Sequence, residues 1–126
     1  MDKLSKPGDY ISDSSRFSHI DTPITDFDTA YDNGLAVPTV ASYISAWEEK
    51  APLFRANWAN SHLDLAYGKG ARNRYDMFLP DHTPKGTLIF IHGGYWRRFD
   101  KSYWSHFARG ALEQGWQVAI PSYTLA

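Results

Sequence analysis

The residues richest in chemical potential are His92-Gly93-Gly94-Tyr95-Trp96, directly behind the apolar run Leu88 to Ile91. Glycines permit positive φ and let backbone amides approach a ligand with no Cβ in the way. Amides converging on one point make an anion cradle. Three chemistries use one: phosphate binding, carboxylate binding and stabilisation of the oxyanion formed in acyl transfer. A phosphate site usually adds Lys, Ser or Thr close behind its glycines. Tyr95 and Trp96 come first here, which suits a pocket wall against an apolar or aromatic substrate. Both aromatics either touch substrate or pack under the loop. Arg97 and Arg98 could attract an anion but read better as a solvated loop face.

Such a loop works only at the end of a strand. The run Leu88 to Ile91 reads as a strand buried on both faces of a parallel sheet. Ligands collect at the carboxyl ends of such strands, where the glycines fall. Asp100 is placed as a helix N-cap. Trp104, Phe107, Ala108, Ala111 and Leu112 then form a helical stripe that Gly115 stops, and Trp116 to Ile120 returns as a strand. Strand, loop, helix and strand form one βαβ unit with parallel strands.

Upstream, Leu63, Leu65 and Tyr67 alternate with polar neighbours, as do Tyr75, Met77 and Leu79, around a Gly68-Lys69-Gly70 turn. That is an antiparallel strand pair. Asn73 occupies the third-glycine position of a dinucleotide motif, and no Gly-Lys-Ser/Thr follows, so neither nucleotide loop is present. From Thr39 to Trp58 the positions Val40, Tyr43, Ile44, Trp47, Ala51, Phe54 and Trp58 mark an amphipathic helix whose aromatics are core. Pro38 suits its first turn, and Pro52 should kink or break it near Lys50. The fold class is therefore α/β, an antiparallel start feeding a parallel sheet with flanking helices.

Residues 1–33 are rich in Asp, Ser and Thr without a period and read as a polar arm, leaving 34–126 as the folded part. Asp26, Asp28 and Asp32 beside Gly34 faintly suggest a calcium loop, but Ala30 and Tyr31 stand where oxygen ligands are needed. The 126 residues make at most one domain, and 43% hydrophobic with 16% aromatic residues suffices for a packed core. Thirteen basic and fourteen acidic residues are spread along the chain, so neither a nucleic-acid stripe nor a polybasic membrane patch is present. No cysteine is present, which removes disulfides, thiolate metal sites and a cysteine nucleophile. Met1 to Tyr10 lacks the apolar core of a signal peptide, no run is long enough to span a membrane, and the expected compartment is cytoplasmic.

His92-Gly93-Gly94-Tyr95-Trp96 at a buried strand end resembles the oxyanion-hole motif of α/β-hydrolases. Its Tyr-Trp ending is most similar to the kynurenine formamidase (arylformamidase) family and related esterases. The strand pair, the "PSYTLA" strand end and the helix introduced by "YDNGLAVP" fit the same family, over about Tyr31 to Ala126. The resemblance implies that the amides of Gly94 and Tyr95 face the oxyanion, that Gly93 provides the turn and that His92 braces the loop without acting as base. It further implies Tyr95 and Trp96 as substrate-pocket walls, a small ester or amide as substrate, and no metal or organic cofactor.

The same family needs a nucleophile in a Gly-x-Ser-x-Gly turn, then an acid and a histidine. None of the eleven serines has glycines at both flanking positions. Ser122 follows a strand but lies between Pro121 and Tyr123, while Ser102 and Ser105 fall on a helix beside His106. The resemblance places the nucleophile strand beyond the point where this chain stops, so the nucleophile half of an α/β-hydrolase domain is expected to be absent. The second oxyanion donor, from the residue after the nucleophile, would be absent with it. The chain then reads as the N-terminal part of a serine-type hydrolase of aryl formamides or small esters, inactive alone. The alternative is a truncated, non-catalytic stub that binds a ligand or partner. Either way the Leu88 to Ile91 strand would present a hydrophobic edge through which copies could associate.

Overall fold

A computed structural model describes residues 23–126, and the expectations for residues 1–22 lie outside the described residues. The chain divides into two compact units, 1–38 and 39–126.

In the first unit, helices form where the sequence shows no period. Helix α1 (Phe27–Tyr31) is capped by Asp26, whose Oδ1 accepts from Thr29 N at 3.1 Å. Helix α2 (Asn33–Ala36) follows a turn in which Asp32 Oδ1 accepts from Gly34 N at 2.8 Å. The aspartates thus serve backbone amides. The Thr29 hydrogen bonds also hold the Asp26 carboxyl below its ordinary value.

The second unit opens with helix α3 (Val40–Asn57), continuous over 18 residues. Of the kink or break expected near Lys50, the break does not occur. Pro52 and Glu48 both face solvent, so water can hydrate the Glu48 carbonyl that Pro52 leaves without a partner. The buried stripe is also narrower than the sequence suggests. Ala51 and Phe54 are buried, Trp47 and Trp58 pack on the core, and Tyr43 is exposed.

Four strands form one sheet in the order β1-β2-β4-β3. Strands β1 (Ser61–Ala66) and β2 (Arg74–Phe78) pair antiparallel, as their alternation requires. Strand β4 (Gln117–Pro121) lies antiparallel to β2 and parallel to β3 (Thr87–Ile89). Between the turn residues, Gly70 and Asn73 close the β1–β2 loop on themselves. Gly70 N donates to Asn73 Oδ1 at 2.9 Å, and Asn73 N donates back to Gly70 O at 2.9 Å.

Phe78, Val118 and Ile120 point from one sheet face into a core completed by Phe54, Trp104, Ala108 and Leu112. The other face is different. Ile89 and Ile91 are 63% and 61% exposed, which corrects the expectation of a strand buried on both sides. An apolar run shows that both faces of a strand are hydrophobic. Only neighbours can cover them, and β3 is an edge strand with helices of this unit on one face alone.

The segment after the glycine loop is the second correction. A helix was expected from Asp100 to Leu112, whereas two 3₁₀ turns (Lys101–Tyr103 and Ser105–Ala108) precede a short α4 (Arg109–Glu113). This winding buries Lys101, Trp104, Ser105 and Ala108 together, and Trp104 sits between the turns at φ −118°. Arg55 of α3 secures the arrangement by donating from Nη1 to Ser102 O at 2.6 Å and Ser105 Oγ at 2.8 Å. Gly115 ends α4 as expected, at φ +84° with its amide on Leu112 O.

Candidate functional site

Three consecutive peptide groups make up the loop between His92 and Tyr95. The His92 ring is buried, at 2% exposure, and stacks on Tyr123 with centroids 4.4 Å apart. Its Nδ1 lies 2.7 Å from the Gly93 carbonyl oxygen. A carbonyl only accepts, so Nδ1 carries the proton in this contact. The Tyr123 hydroxyl donates to the His92 carbonyl at 2.7 Å. The Gly94 carbonyl accepts from the amides of Arg97 at 3.0 Å and Arg98 at 3.2 Å. All three carbonyls in the run are therefore tied.

Because the described peptides are all trans, each N–H points opposite the carbonyl of the same peptide group. Tying the carbonyls of His92, Gly93 and Gly94 thus sets the directions of the amides of Gly93, Gly94 and Tyr95. Among the described residues, the Gly93 and Gly94 amides donate to no partner.

The loop turns at Gly94, which has φ +125°, and not at Gly93. A Cβ on Gly94 would meet Arg98 O at 2.4 Å, whereas one on Gly93 would have nothing within 4 Å. The turn continues through Tyr95 at φ +54° and Trp96 at φ +58°. Each such left-handed, non-glycine residue costs roughly 1–2 kcal/mol, so the surroundings must enforce the turn. The Gly94 carbonyl bonds do so at one end. At the other, Ala126 N donates to Trp96 O at 2.7 Å. The conformation swings both aromatics outward, with Tyr95 54% and Trp96 61% exposed.

Trp96 stands edge-on to Tyr123, with ring centroids 4.9 Å apart. Together with Tyr67, Tyr75, Ile89 and Ile91 they line an apolar cavity of about 460 Å³ on the uncovered sheet face. An aromatic or aliphatic group would lose water-exposed surface there at little polar cost. Arg97 and Arg98 are exposed, and Arg98 lies over the Phe99 ring at 5.0 Å.

The far end of the loop is anchored electrostatically. Lys101 Nζ bridges Asp64 Oδ1 at 2.8 Å and Asp76 Oδ1 at 2.7 Å, and Asp76 is 1% exposed. A bulge with Asp64 at φ +58° brings the first carboxylate round, and its amide donates to Asp76 Oδ1 at 2.9 Å. Burial alone would lower the Lys101 pKa, but hydrogen bonds to Asp64 and Asp76 outweigh it and hold the ammonium above its ordinary value. The Lys101 hydrogen bond correspondingly keeps the Asp64 carboxyl below its own. Asp100 accepts from Ser102 N at 2.7 Å, and the Ser102 hydrogen bonds overcome its burial to hold its carboxyl low as well. Among the described residues no group of three or more His, Cys, Asp or Glu could hold a metal ion.

Of the serines, Ser105 accepts from Arg55, and Ser122 Oγ accepts from the Lys101 amide at 3.0 Å. Neither is near an imidazole that could activate it in any hydrogen bond the structure shows. Tyr123 and Arg72 escaped the sequence reading. A signal was available for Tyr123, since it follows β4 as His92 follows the parallel neighbour β3. Residues just past the carboxyl ends of adjacent parallel strands lie side by side.

No protein-family profile matches the chain. It is 33% identical over 63 residues to a kynurenine formamidase of Drosophila melanogaster, covering 48% of this chain and 21% of that protein. A kynurenine formamidase of Salmo salar is 27% identical over 89 residues, covering 69% of this chain and 30% of the relative. Among solved structures, a Silicibacter protein provisionally named a thioesterase superposes with TM-score 0.75 at 49% identity, over 77% of this chain and 37% of that one. The chain thus spans well under half the length of the proteins it matches. It is an α/β-hydrolase-like relative of the kynurenine formamidases. Among the described residues no helix is long and apolar enough to cross a membrane.

Proposed function

We propose that the His92–Trp96 loop is the oxyanion-binding part of a serine-type hydrolase acting on aryl formamides or small carboxylic esters. The observation that carries this reading is the set of three tied carbonyls, which directs the amides of Gly93, Gly94 and Tyr95 and leaves that of Gly94, one of the two donors, without a hydrogen-bond partner among the described residues. Donors held in place before the reaction cost no reorganisation when charge develops. One such donor is typically worth about 2.7–4 kcal/mol in the transition state. The formamidase names of two relatives support the substrate class.

In this mechanism a serine oxygen, from a Gly-x-Ser-x-Gly turn that this sequence does not contain, attacks the formyl or acyl carbon. The carbonyl electron pair moves onto oxygen, where the amides of Gly94 and Tyr95 receive it. Collapse breaks the bond to the arylamine or alcohol, which leaves with a proton. Water then releases formate or the carboxylate. Trp96 and Tyr95 flank the acyl or aryl group, and N-formylkynurenine is the sharpest substrate candidate. No metal or organic cofactor takes part. The same reading gives the open edge of β3 a strand neighbour, and where none is supplied that edge joins two copies of the chain.

The coding sequence following the Ala126 codon, read in all three frames, is the first test. A Gly-x-Ser-x-Gly followed by Asp and His, in a protein that turns over N-formylkynurenine faster than phenyl acetate, is the expected result. A longer protein containing the loop but hydrolysing neither compound would overturn the proposal.

A further inference from the structure

Two of the three carbonyl ties pass through one side chain. Tyr123 donates its hydroxyl to the His92 carbonyl at 2.7 Å and stacks its ring on the His92 imidazole, 4.4 Å between centroids and 18° between planes. That imidazole supplies the second tie, to the Gly93 carbonyl. The same imidazole lies 6.3 Å from the Trp104 ring and 12° from parallel to it. The same phenol meets Trp96 edge-on at 4.9 Å.

Tyr123 is itself held at the backbone. Its carbonyl accepts from Arg72 Nε at 2.8 Å, and the other end of that guanidinium reaches the Phe99 carbonyl at the loop's exit. Its neighbour Ser122 offers Oγ to the Lys101 amide and its carbonyl to the Tyr67 hydroxyl at 2.6 Å. The two residues beyond β4 therefore grip both the entry and the exit of the glycine loop.

We propose that Tyr123 is the positioning residue of this loop, setting the direction of the Gly93 and Gly94 amides through the His92 carbonyl and the His92 ring. The proposal rests on the oxyanion reading above for its catalytic consequence, and on hydrogen-bond geometry alone for its structural one. Tyr123→Phe keeps the ring stack and removes the tie to the His92 carbonyl. Tyr123→Leu removes both. Tyr75→Phe is the control, because Tyr75 lines the same cavity without a hydrogen bond to the loop.

The primary test is ¹⁵N relaxation on the 126-residue chain carrying Ile89→Lys and Ile91→Lys, which keep the exposed edge from associating. With Tyr123 unchanged in that background, the Gly93 and Gly94 amides should show order parameters near the rigid value of about 0.85, falling toward about 0.6 in Tyr123→Phe and lower in Tyr123→Leu. Tyr75→Phe should match that background. Order parameters at Gly93 and Gly94 that do not move in Tyr123→Phe overturn the proposal.

Activity of a protein that carries this loop together with a Gly-x-Ser-x-Gly turn separates the two ideas. Tyr123→Phe should lower kcat by roughly tenfold to a hundredfold, the range for misplacing a reacting group by up to about 1 Å, with KM unchanged. If the loop loosens in Tyr123→Phe while the unsubstituted protein hydrolyses neither ester nor formamide, the oxyanion reading fails and the positioning role stands. If the unsubstituted protein is active and Tyr123→Phe retains full kcat, the positioning role fails.

Discussion

Replacing Gly94 by alanine tests the loop at its tightest point. At φ +125° an alanine is strained whatever the space around it, at a cost of about 1–3 kcal/mol. The new Cβ would also stand 2.4 Å from Arg98 O and 3.0 Å from Phe99 Cδ2. Arg98 O is backbone and cannot swing aside as a side chain would. Forcing a methyl into such a place adds about 1–3 kcal/mol. Relaxation absorbs part of the sum, so about 2–4 kcal/mol should be lost. With a urea m-value of about 2 kcal/mol/M, that moves the unfolding midpoint down by roughly 1–2 M. Gly93→Ala is the matched comparison, since its Cβ meets nothing within 4 Å and no positive φ opposes it. It should stay within about 0.5 kcal/mol of the unchanged chain. Urea unfolding of the three proteins, followed by tryptophan fluorescence, reads the difference. Equal midpoints for Gly94→Ala and Gly93→Ala would refute the reasoning, because the turn would then not need Gly94.

The ion cluster behind the loop makes two linked predictions. Lys101→Met strands the Asp76 carboxylate in the interior and should cost about 3–5 kcal/mol, the range for breaking a buried pair. A midpoint shift below a third of that would mean Asp76 finds another partner. Asp64 and Asp100 both titrate below the ordinary aspartate value of 3.8, so the unfolded chain binds more protons near that pH. Their stabilisation is complete above that value and is lost as pH falls through their lower folded values. Lys101, raised above 10.5, contributes stability that disappears only as pH climbs past that value. Urea midpoints measured from pH 2 to 6 should fall on acidification, and a flat profile would contradict the assignment. At the sheet edge, the unchanged chain should self-associate at micromolar concentration, as exposed apolar strands do. Ile89→Lys with Ile91→Lys should abolish this at little stability cost, both side chains being more than half exposed. Sedimentation of the unchanged chain as a monomer would remove the edge from consideration.

Much of the frame was legible because it is written in near neighbours. Alternation in Leu63–Tyr67 and Tyr75–Leu79 with glycines between them predicts the β1–β2 pair, and the pair forms. The two apolar runs flanking a helical stripe predict β3 parallel to β4, and they are. The stripe itself does not distinguish a regular helix from the 3₁₀ turns at Lys101–Tyr103 and Ser105–Ala108, since both place residues three or four apart on one side. At Pro52, where its missing N–H predicts a kink or break, the helix does not break because that side of α3 faces water. The burial of β3 was misjudged because hydrophobicity reports what a strand can bury, not what lies beside it.

What the sequence determined alone is the chemical repertoire. A glycine pair at a strand end, aromatics behind it, no cysteine and no Gly-x-Ser-x-Gly follow from residue types and spacing, and so does an α/β order of elements. The tertiary structure decided where those groups point. Gly94 turns the chain and Gly93 does not, because the obstacles are Arg98 and Phe99 folded back on it. The direction of each amide is fixed because the carbonyls are tied by Tyr123, by His92 and by Arg97 with Arg98. Lys101 meets Asp64 and Asp76 only once β1, β2 and the segment after the loop are assembled. Steric preference and periodicity act between neighbours and can be read along the chain. Hydrogen bonds and ion pairs between distant residues exist only after the parallel register of β3 and β4 has brought their ends together.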